Sequence, residues 1–470
     1  MGAQMIPEER AVDVAVVGAG TAGLAAYRAA AALTPEVILI EGGVYGTTCA
    51  RVGCMPSKLL IAAAEVAHEA RHAAPFGLHA SVEVDRRAVM DRVLRERDRF
   101  VGFVVSSVES IPVNRKLIGY ARFVEPGLLE VGATRVRARA VVVATGSTPV
   151  LPSMFSGLGD RMIVNDDVFG WSELPDSVVV FGAGVVGLEL GQALHRLGVR
   201  VRILGKGGRL GVLTDPVVRD AAGRALSSEL PLDLDAGTRN VRRVEDRVVV
   251  EWVDAAGQVR VESFAFALVA AGRRPNLSGL DLERGGVALD ADGFARVDRT
   301  TARLGGSNVF LAGDVSNDIP LLHEAADEGR IAGENAAKFP EVRPGVRRSP
   351  LSVVFTDPQM TVAGEGYAAV AVRGSEVVIG QVSFEDQGRS RVMLKNYGAA
   401  RIYAEASSGR FLGAEMAGPR AEHIGHLLAW AHQEQLTIAR MLSMPFYHPV
   451  VEEGIRTALR DAATKLSAHR

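Results

Sequence analysis

Two copies of one pattern predict an α/β protein built on two Rossmann-like domains. A continuous apolar strand runs into Gly-x-Gly-x-x-Gly and a helical segment, once at Gly18, Gly20 and Gly23 and again at Gly182, Gly184 and Gly187. After about residue 350 the pattern changes to short strand-like runs and then an amphipathic helix near 420–435, which predicts a separate C-terminal α+β domain. The chain has 470 residues, more than the roughly 250–300 at which a single core stops growing, so several domains are expected.

The first element is "VDVAVVGAG", a buried-type strand ending in the glycine turn, followed by the helical "TAGLAAYRAAAAL" and the strand "EVILIEGG". The first glycine permits the tight turn, the second lets backbone approach a pyrophosphate at the helix N-terminus, and the third lets helix pack on strand. Glu41 stands 23 residues beyond Gly18, where an acid would accept hydrogen bonds from an adenosine ribose. A helical, charged stretch from about 57 to 100 follows, then strand-like segments near 117–143 and "VVVATGSTP", which carries Thr145 and Gly146 into a loop at Pro149.

The second unit repeats the first with one departure. The residue 23 beyond Gly182 is Gly205, so the ribose-binding acid is missing, and Lys206 and Arg209 follow. Basic groups there would accommodate a 2′-phosphate; the same run, "GKGGRLG", reads equally well as a solvated turn. Two units imply two dinucleotides, the simplest pair being a flavin and a nicotinamide. After about 271 come "AGRRPN", with Gly272, and "NVFLAGDV", a strand ending at Asp314; "PLLHEAADEG" then starts a helix that includes His323. Strand-like "SVVFTD", "VVIGQVSF" and "RVMLKN", then "RIYAEASSGRFLGAEMAG", complete the C-terminal domain. The expected boundaries are 1–150 and 271–345 for the two parts of a flavin domain, 151–270 for a nicotinamide domain and 346–470 for the C-terminal domain.

Composition narrows the partners. With 48% apolar and 23% charged residues and a net charge of −2, the chain offers no electrostatic reason for a nucleic acid or an anionic membrane. The N-terminus lacks a basic segment followed by an uninterrupted apolar one, and no run approaches the ~18 apolar residues of a membrane span. A cytoplasmic, soluble protein acting on small molecules is the expectation.

Both cysteines of the chain lie in "TTCARVGCMPSK", at Cys49 and Cys54. In an ideal helix residues five apart have Cα atoms about 8–9 Å apart, whereas a disulfide needs less than about 7 Å, so pairing requires distorted backbone. Gly53 is permissive, and Pro56 lacks the N–H a helix would use and disfavours a helical Met55. A small ring closed this way is readily reduced. The spacing is not C-x-x-C, and without a second cysteine pair it is not a zinc site. Two unpaired buried thiols are the alternative at this point.

The same residues resemble the redox-active disulfide of the class I pyridine nucleotide-disulfide oxidoreductases, whose dihydrolipoyl dehydrogenase branch carries G-G-T-C-x-N-x-G-C-x-P-S-K. Here Thr47 replaces the second glycine and Arg51 the asparagine. Arg51 thereby brings a cation near the thiols, which would lower a thiol pKa or alter substrate choice. The resemblance runs from Val12 to about Ile455. It implies FAD, NAD or NADP, and a Cys49–Cys54 disulfide, with Cys49 as the thiol exchanging with substrate and Cys54 facing the flavin. By similarity Lys58 sits beside the flavin and is paired with Glu189, and Asp314 bonds the ribityl chain. Val185 stands where glutathione reductases carry a tyrosine gate, as in the lipoamide branch.

Opening a disulfide with a dithiol needs a group that takes and returns a proton near neutral pH, which histidine does. "Phe446-Tyr447-His448-Pro449-Val450-Val451-Glu452-Glu453" resembles the family's H-P-T-x-x-E signature, with Val450 in place of threonine. It implies His448 as acid/base, Glu453 as the carboxylate that fixes its tautomer, and a homodimer in which this histidine reaches the other subunit's disulfide. His423, His426 and His432 read as a solvated or dimer-facing helix, and no metal is expected. The substrate implied is a lipoyl group or another small dithiol or disulfide, with a 2-oxo acid dehydrogenase complex as the partner. The alternatives are an NADPH-dependent reductase of another low-molecular-weight disulfide and a flavin redox sensor without turnover.

Overall fold

A computed structural model describes residues 8–468, which divide into two compact units. The first unit comprises the chain through Pro56, Val93–Val150 and Arg273–Arg348; the second comprises Ser57–Arg92, Leu151–Gly272 and the chain from Ser349 onward.

The first unit is built on a seven-stranded sheet. Its parallel part places Lys116–Ile118, Val37–Glu41, Glu8–Val17, Thr134–Val143 and Val309–Leu311 side by side, and Leu128–Val131 and Ala121–Glu125 extend it antiparallel. Val14, Val16, Leu39, Val142 and Phe310 bury one sheet face beneath the helices Thr21–Ala31 and Leu322–Lys338. Those two helices touch backbone to backbone. A Cβ at Gly329 or Gly333 would lie 2.2 Å from the carbonyl of Ala22 or Ala26, so only glycine permits this approach.

The second unit repeats the parallel theme. Leu232–Asp233, Arg200–Leu204, Ser177–Phe181, Phe266–Val269 and Met162–Ile163 form a five-stranded parallel sheet, with the helix Val185–Arg196 following the central strand. A three-stranded antiparallel sheet over Gly237–Val244, Arg247–Val253 and Val259–Phe264 packs beside it around Trp252; no sequence signal singles it out. The C-terminal part is a five-stranded antiparallel sheet in the order Leu351–Val354, Gln359–Gly364, Phe411–Gly418, Ala399–Glu405, Val377–Ser383, covered by the helices Ala421–Gln433 and Glu452–Ala468.

One local expectation is refined and one corrected. The helical, charged stretch expected over about 57–100 is two helices, Cys54–Arg71 and Arg86–Glu109, separated by residues 72–85, which include a 3₁₀ turn at Ala74–Phe76. "RVMLKN" is not a strand. The Gln387 side chain accepts from the Ser390 N–H at 2.7 Å and starts a short helix, Gly388–Val392, and Leu394 then takes a positive φ of 55° that no strand continues. Among the described residues no helix is long and apolar enough to cross a membrane.

Candidate active site

Cys49 lies half-buried in the short helix Thr48–Val52, and Cys54 opens the helix Cys54–Arg71 with its surface exposed. Gly53 separates the helices at φ −123°, ψ −118°. A Cβ at Gly53 would lie 3.0 Å from the Thr48 carbonyl oxygen and 3.2 Å from the Cys49 Cα, so glycine lets the second helix start against the first. The break is at Gly53 alone. Pro56 falls in the first turn of the Cys54 helix, where the missing N–H removes no intrahelical bond and no kink results.

The outcome is a dithiol in direct contact. A hydrogen bond with Cys54, then burial, then the charge of Cys54 push the Cys49 thiol far up, against backbone N–H groups of Cys54 and Met55 that favour its thiolate. Once one sulfur is charged, the other keeps its proton. Arg51 does not act on this pair as expected. Its guanidinium donates to the Val44 carbonyl at 3.4 Å and its stem lies against Gly46, so the charge is directed at a backbone oxygen and not at a thiol. Thr47 caps the first helix by accepting from the Ala50 N–H at 3.3 Å, yet its φ is +57°, a conformation suited to glycine and strained for a β-branched residue.

In the second unit Lys58 donates to Glu189 at 2.7 Å. The Glu189 carboxylate is almost wholly buried on the Val185–Arg196 helix, and its other oxygen accepts from the Phe355 N–H at 2.9 Å. The Lys58 ammonium also lies 4.6 Å from the centroid of the Phe355 ring. Both carboxylate oxygens and the ammonium therefore have fixed partners. Phe355 carries no sequence signal because its contribution to Glu189 is a backbone donor.

The two glycine turns have the same steric anatomy. A Cβ at Gly18 would lie 2.4 Å from the Ala144 oxygen and one at Gly23 would lie 1.8 Å from the Gly18 oxygen; at Gly182 and Gly187 the distances are 2.3 Å to Ala270 and 1.9 Å to Gly182. At Gly20 and Gly184, by contrast, a Cβ would meet nothing within 4 Å. Each of these two is the N-cap of its helix, and neither cap is satisfied by a side chain. The outer glycines serve backbone packing, whereas the middle ones keep room before an uncapped helix end, the cradle a pyrophosphate fits.

Glu41 closes the first turn by accepting from the Ala19 N–H and the Gly43 N–H, both at 2.7 Å. The exposed ring of Tyr120, missed in the sequence, lies over Gly42 beside it. In the second unit Gly205 is required by packing, since a Cβ there would lie 2.7 Å from the Leu234 oxygen. Lys206 and Arg209 are exposed on the same turn, where the Gly207 N–H donates to Asp235 at 2.7 Å.

Around the flavin-type turn of the first unit, Ser147 donates to Asp314 at 2.6 Å and in turn accepts from Arg273 at 2.8 Å. Thr145 donates to the Asn276 carbonyl at 2.6 Å. Gly146 and, in the second unit, Gly272 take φ values of +70° and +109° with open space where a side chain would stand. Ser147 and Arg273 escape sequence reasoning, although they sit inside "ATGSTP" and "AGRRPN", because a partner 126 positions away leaves no local pattern.

His448 is exposed, with Nδ1 3.0 Å from Glu453 Oε2 and 3.1 Å from Oε1. The bond to His448 holds the Glu453 carboxyl below its ordinary range. The Val450 N–H donates to the same carboxylate at 3.3 Å, a backbone contact that valine supplies as well as threonine. Of the other histidines, His426 is bonded to the Glu422 carbonyl, His432 to Ser349, and His423 is paired with Glu422 at 3.3 Å. His323 lies in the first turn of the Leu322 helix.

Residues 12–329 match the family described as Pyridine nucleotide-disulphide oxidoreductase, and residues 351–459 match its dimerisation domain. Curated relatives include the dihydrolipoyl dehydrogenase of Halobacterium salinarum, 32% identical over 460 residues that cover 96% of each chain. That of Thermus scotoductus is 31% identical over 471 residues, 97% of this chain and 98% of the other. Among solved structures, LpdA of Mycobacterium tuberculosis superposes with a TM-score of 0.81 at 25% identity, over 96% of this chain and 99% of that one. The HOCl-induced flavoprotein disulfide reductase RclA of Escherichia coli, with a TM-score of 0.78 at 20% identity over 96% and 99%, shares the fold.

Proposed function

The chain belongs to the pyridine nucleotide-disulphide oxidoreductase family, as an FAD-containing, NAD(P)-dependent disulfide oxidoreductase whose dimerisation domain supports a homodimer, and from that premise we propose that its substrate is a lipoyl dithiol. The observation that carries the dithiol chemistry is the contact between the Cys49 and Cys54 thiols across Gly53. The lipoyl choice is supported by full-length relatives named dihydrolipoyl dehydrogenase.

In this reading the reaction starts with Cys49 and Cys54 joined as a disulfide. His448 of the partner subunit takes a proton from one substrate thiol, and Glu453 of the partner subunit supports the resulting imidazolium. The substrate sulfur attacks Cys49; a substrate–Cys49 disulfide forms, the Cys49–Cys54 bond breaks and Cys54 leaves as thiolate. The second substrate thiol attacks the first substrate sulfur, closes the lipoyl disulfide and passes its proton to the departing Cys49, which is released as a thiol while the first proton stays on His448 of the partner subunit. Two electrons have passed from substrate to the cysteine pair.

Gly18, Gly20, Gly23, Glu41 and Asp314 would hold FAD and Gly182, Gly184 and Gly187 a nicotinamide, and the flavin when bound would supply a two-electron relay between the nicotinamide and the cysteine pair. Ser147 and Arg273 orient the Asp314 carboxylate for that binding. Lys58 would offer its positive charge to the flavin, and Glu189 and Phe355 hold the ammonium in place. Thr145, Gly146 and Gly272 form the crossings between nucleotide-binding segments, and Lys206 is the group that would meet a 2′-phosphate. A lipoyl arm carried by a 2-oxo acid dehydrogenase complex is the proposed physiological substrate.

The test is a substrate panel: the FAD-loaded protein with NADH or NADPH against lipoamide, glutathione disulfide and cystine. Lipoamide is expected to show the highest kcat/KM. A higher value for glutathione disulfide or cystine would replace the substrate assignment, and nil rates with every disulfide would favour a redox sensor.

A further inference from the structure

Within the second unit a cavity of about 540 Å³ opens where three helices end: Cys54–Arg71, Val185–Arg196 and Pro216–Ser227. Its size falls in the range of about 300–1,000 Å³ typical of small-molecule sites. Gly184, the nicotinamide-type turn, caps the opposite end of the Val185 helix, whose 12 residues span about 18 Å. The cavity therefore lies well away from that nucleotide cradle.

Three helix C-termini would ordinarily make such a place hostile to anions. Here one carbonyl at each helix end accepts from a side chain. Arg71 donates to the Arg196 carbonyl, the His72 ring nitrogen bonds the His68 carbonyl at 2.8 Å, and Ser228 donates to the Ala225 carbonyl at 2.7 Å. The carboxylates in the wall are occupied too. Glu229 holds Arg196 at 2.6 Å and His68 at 3.4 Å; Asp357 holds Arg196 at 3.3 Å, Lys395 at 3.4 Å and the Tyr397 hydroxyl at 2.5 Å; Glu69 holds Lys395 at 2.5 Å.

What remains is a surplus of donors. Arg71 uses one guanidinium nitrogen on a carbonyl and keeps the rest, His72 keeps its second nitrogen, and neither nitrogen of the half-buried His195 has a hydrogen-bond partner among the described residues. The three are close: Arg71 bonds the residue next to His195, and the His68 and His72 rings stack at 4.1 Å. Among the described residues no group of ligands here could hold a metal ion. Phe76, Met393 and Leu394 add apolar surface to the wall, more than a free ion would use.

We infer that this cavity binds a small phosphate-bearing molecule, with Arg71, His72 and His195 donating to the phosphate and the Phe76–Met393–Leu394 side receiving its carbon skeleton. The inference is independent of which dithiol the enzyme oxidises. The shared chemistry, a phosphate group, comes either as the free ion or on an organic carrier, and two probes separate these sources.

The experiment is calorimetric titration of the FAD-loaded dimer, saturated with NAD⁺ so that the nucleotide turn is filled, with inorganic phosphate and with ribose 5-phosphate. Saturable binding is expected, tighter for ribose 5-phosphate if the apolar wall is used and equal for both if only the ion is recognised. His195→Ala, which breaks no bond of the fold, and Arg71→Met are each expected to weaken it by about tenfold or more, the loss of one charge-assisted hydrogen bond. Absence of saturable heat with both probes overturns the inference, as does binding that both variants leave unchanged.

Discussion

Thr47 shows how a single backbone angle separates two effects of unequal size. At φ +57° the residue carries strain of about 1–3 kcal/mol, while exchanging a threonine cap for glycine costs only a few tenths of a kcal/mol. The strain outweighs the cap. Thr47→Gly is therefore expected to stabilise the protein by about 1 kcal/mol, measured as a shift in the urea midpoint; a loss of stability would mean that the cap at Ala50 dominates. At the same scale, His448→Gln is expected to lower kcat/KM for the dithiol by about 10²–10⁴-fold, the usual span of general acid–base catalysis. Lys206→Ala should raise the KM for NADPH and leave that for NADH unchanged. If neither moves, the run around Lys206 is a solvated turn.

At the scale of elements, the two glycine turns separate packing from binding. Gly187→Ala would put a Cβ 1.9 Å from a backbone oxygen, so the helix must shift and a loss of about 1–3 kcal/mol is expected. Gly184→Ala meets nothing within 4 Å and should keep the melting temperature while raising the KM for the nicotinamide. Equal destabilisation of both variants would contradict this division.

The ends of the Cys54 and Val185 helices are tied through Glu229. Burial pushes this carboxyl up, but hydrogen bonds from His68 and Arg196 outweigh burial and hold it below the ordinary range. A depressed carboxyl contributes stability that is present above its unfolded value near 4.5 and is lost as pH falls through the folded value. Stability should therefore be insensitive to Glu229 above about pH 5 and decline below it. Glu229→Gln, which leaves buried Arg196 with Asp357 alone, should cost about 3 kcal/mol at pH 7 and flatten that acid decline in urea titrations.

For the whole molecule, legibility followed the range of the interaction. The glycine turns and the cysteine pair could be read because their spacing is local, and the steric reason is visible at Gly18, Gly23 and Gly53. The groups that orient them could not. Phe355 acts on Glu189 through its backbone from 166 residues away, Ser147 meets Asp314 from across the unit, and Arg273 meets Ser147 where the strands Ser147–Pro149 and Arg273–Pro275 pair. "RVMLKN" misled because its apolar composition suits a strand, while the cap at Gln387, outside the segment, starts a helix that takes in its first two residues and ends in a turn.

The proposed sharing of each site between the two subunits makes a further prediction. Coexpressed Cys49→Ser and His448→Gln chains should give hybrid dimers with one intact site, and no activity in those hybrids would place cysteine and histidine of a site on one chain. The central claim, that electrons pass between substrate and flavin through the cysteine pair, is tested most directly by Cys49→Ser. NADH should still bleach its flavin under anaerobic conditions, while reduction of NAD⁺ by dihydrolipoamide should be abolished. Wild-type turnover of dihydrolipoamide by that variant would contradict the account.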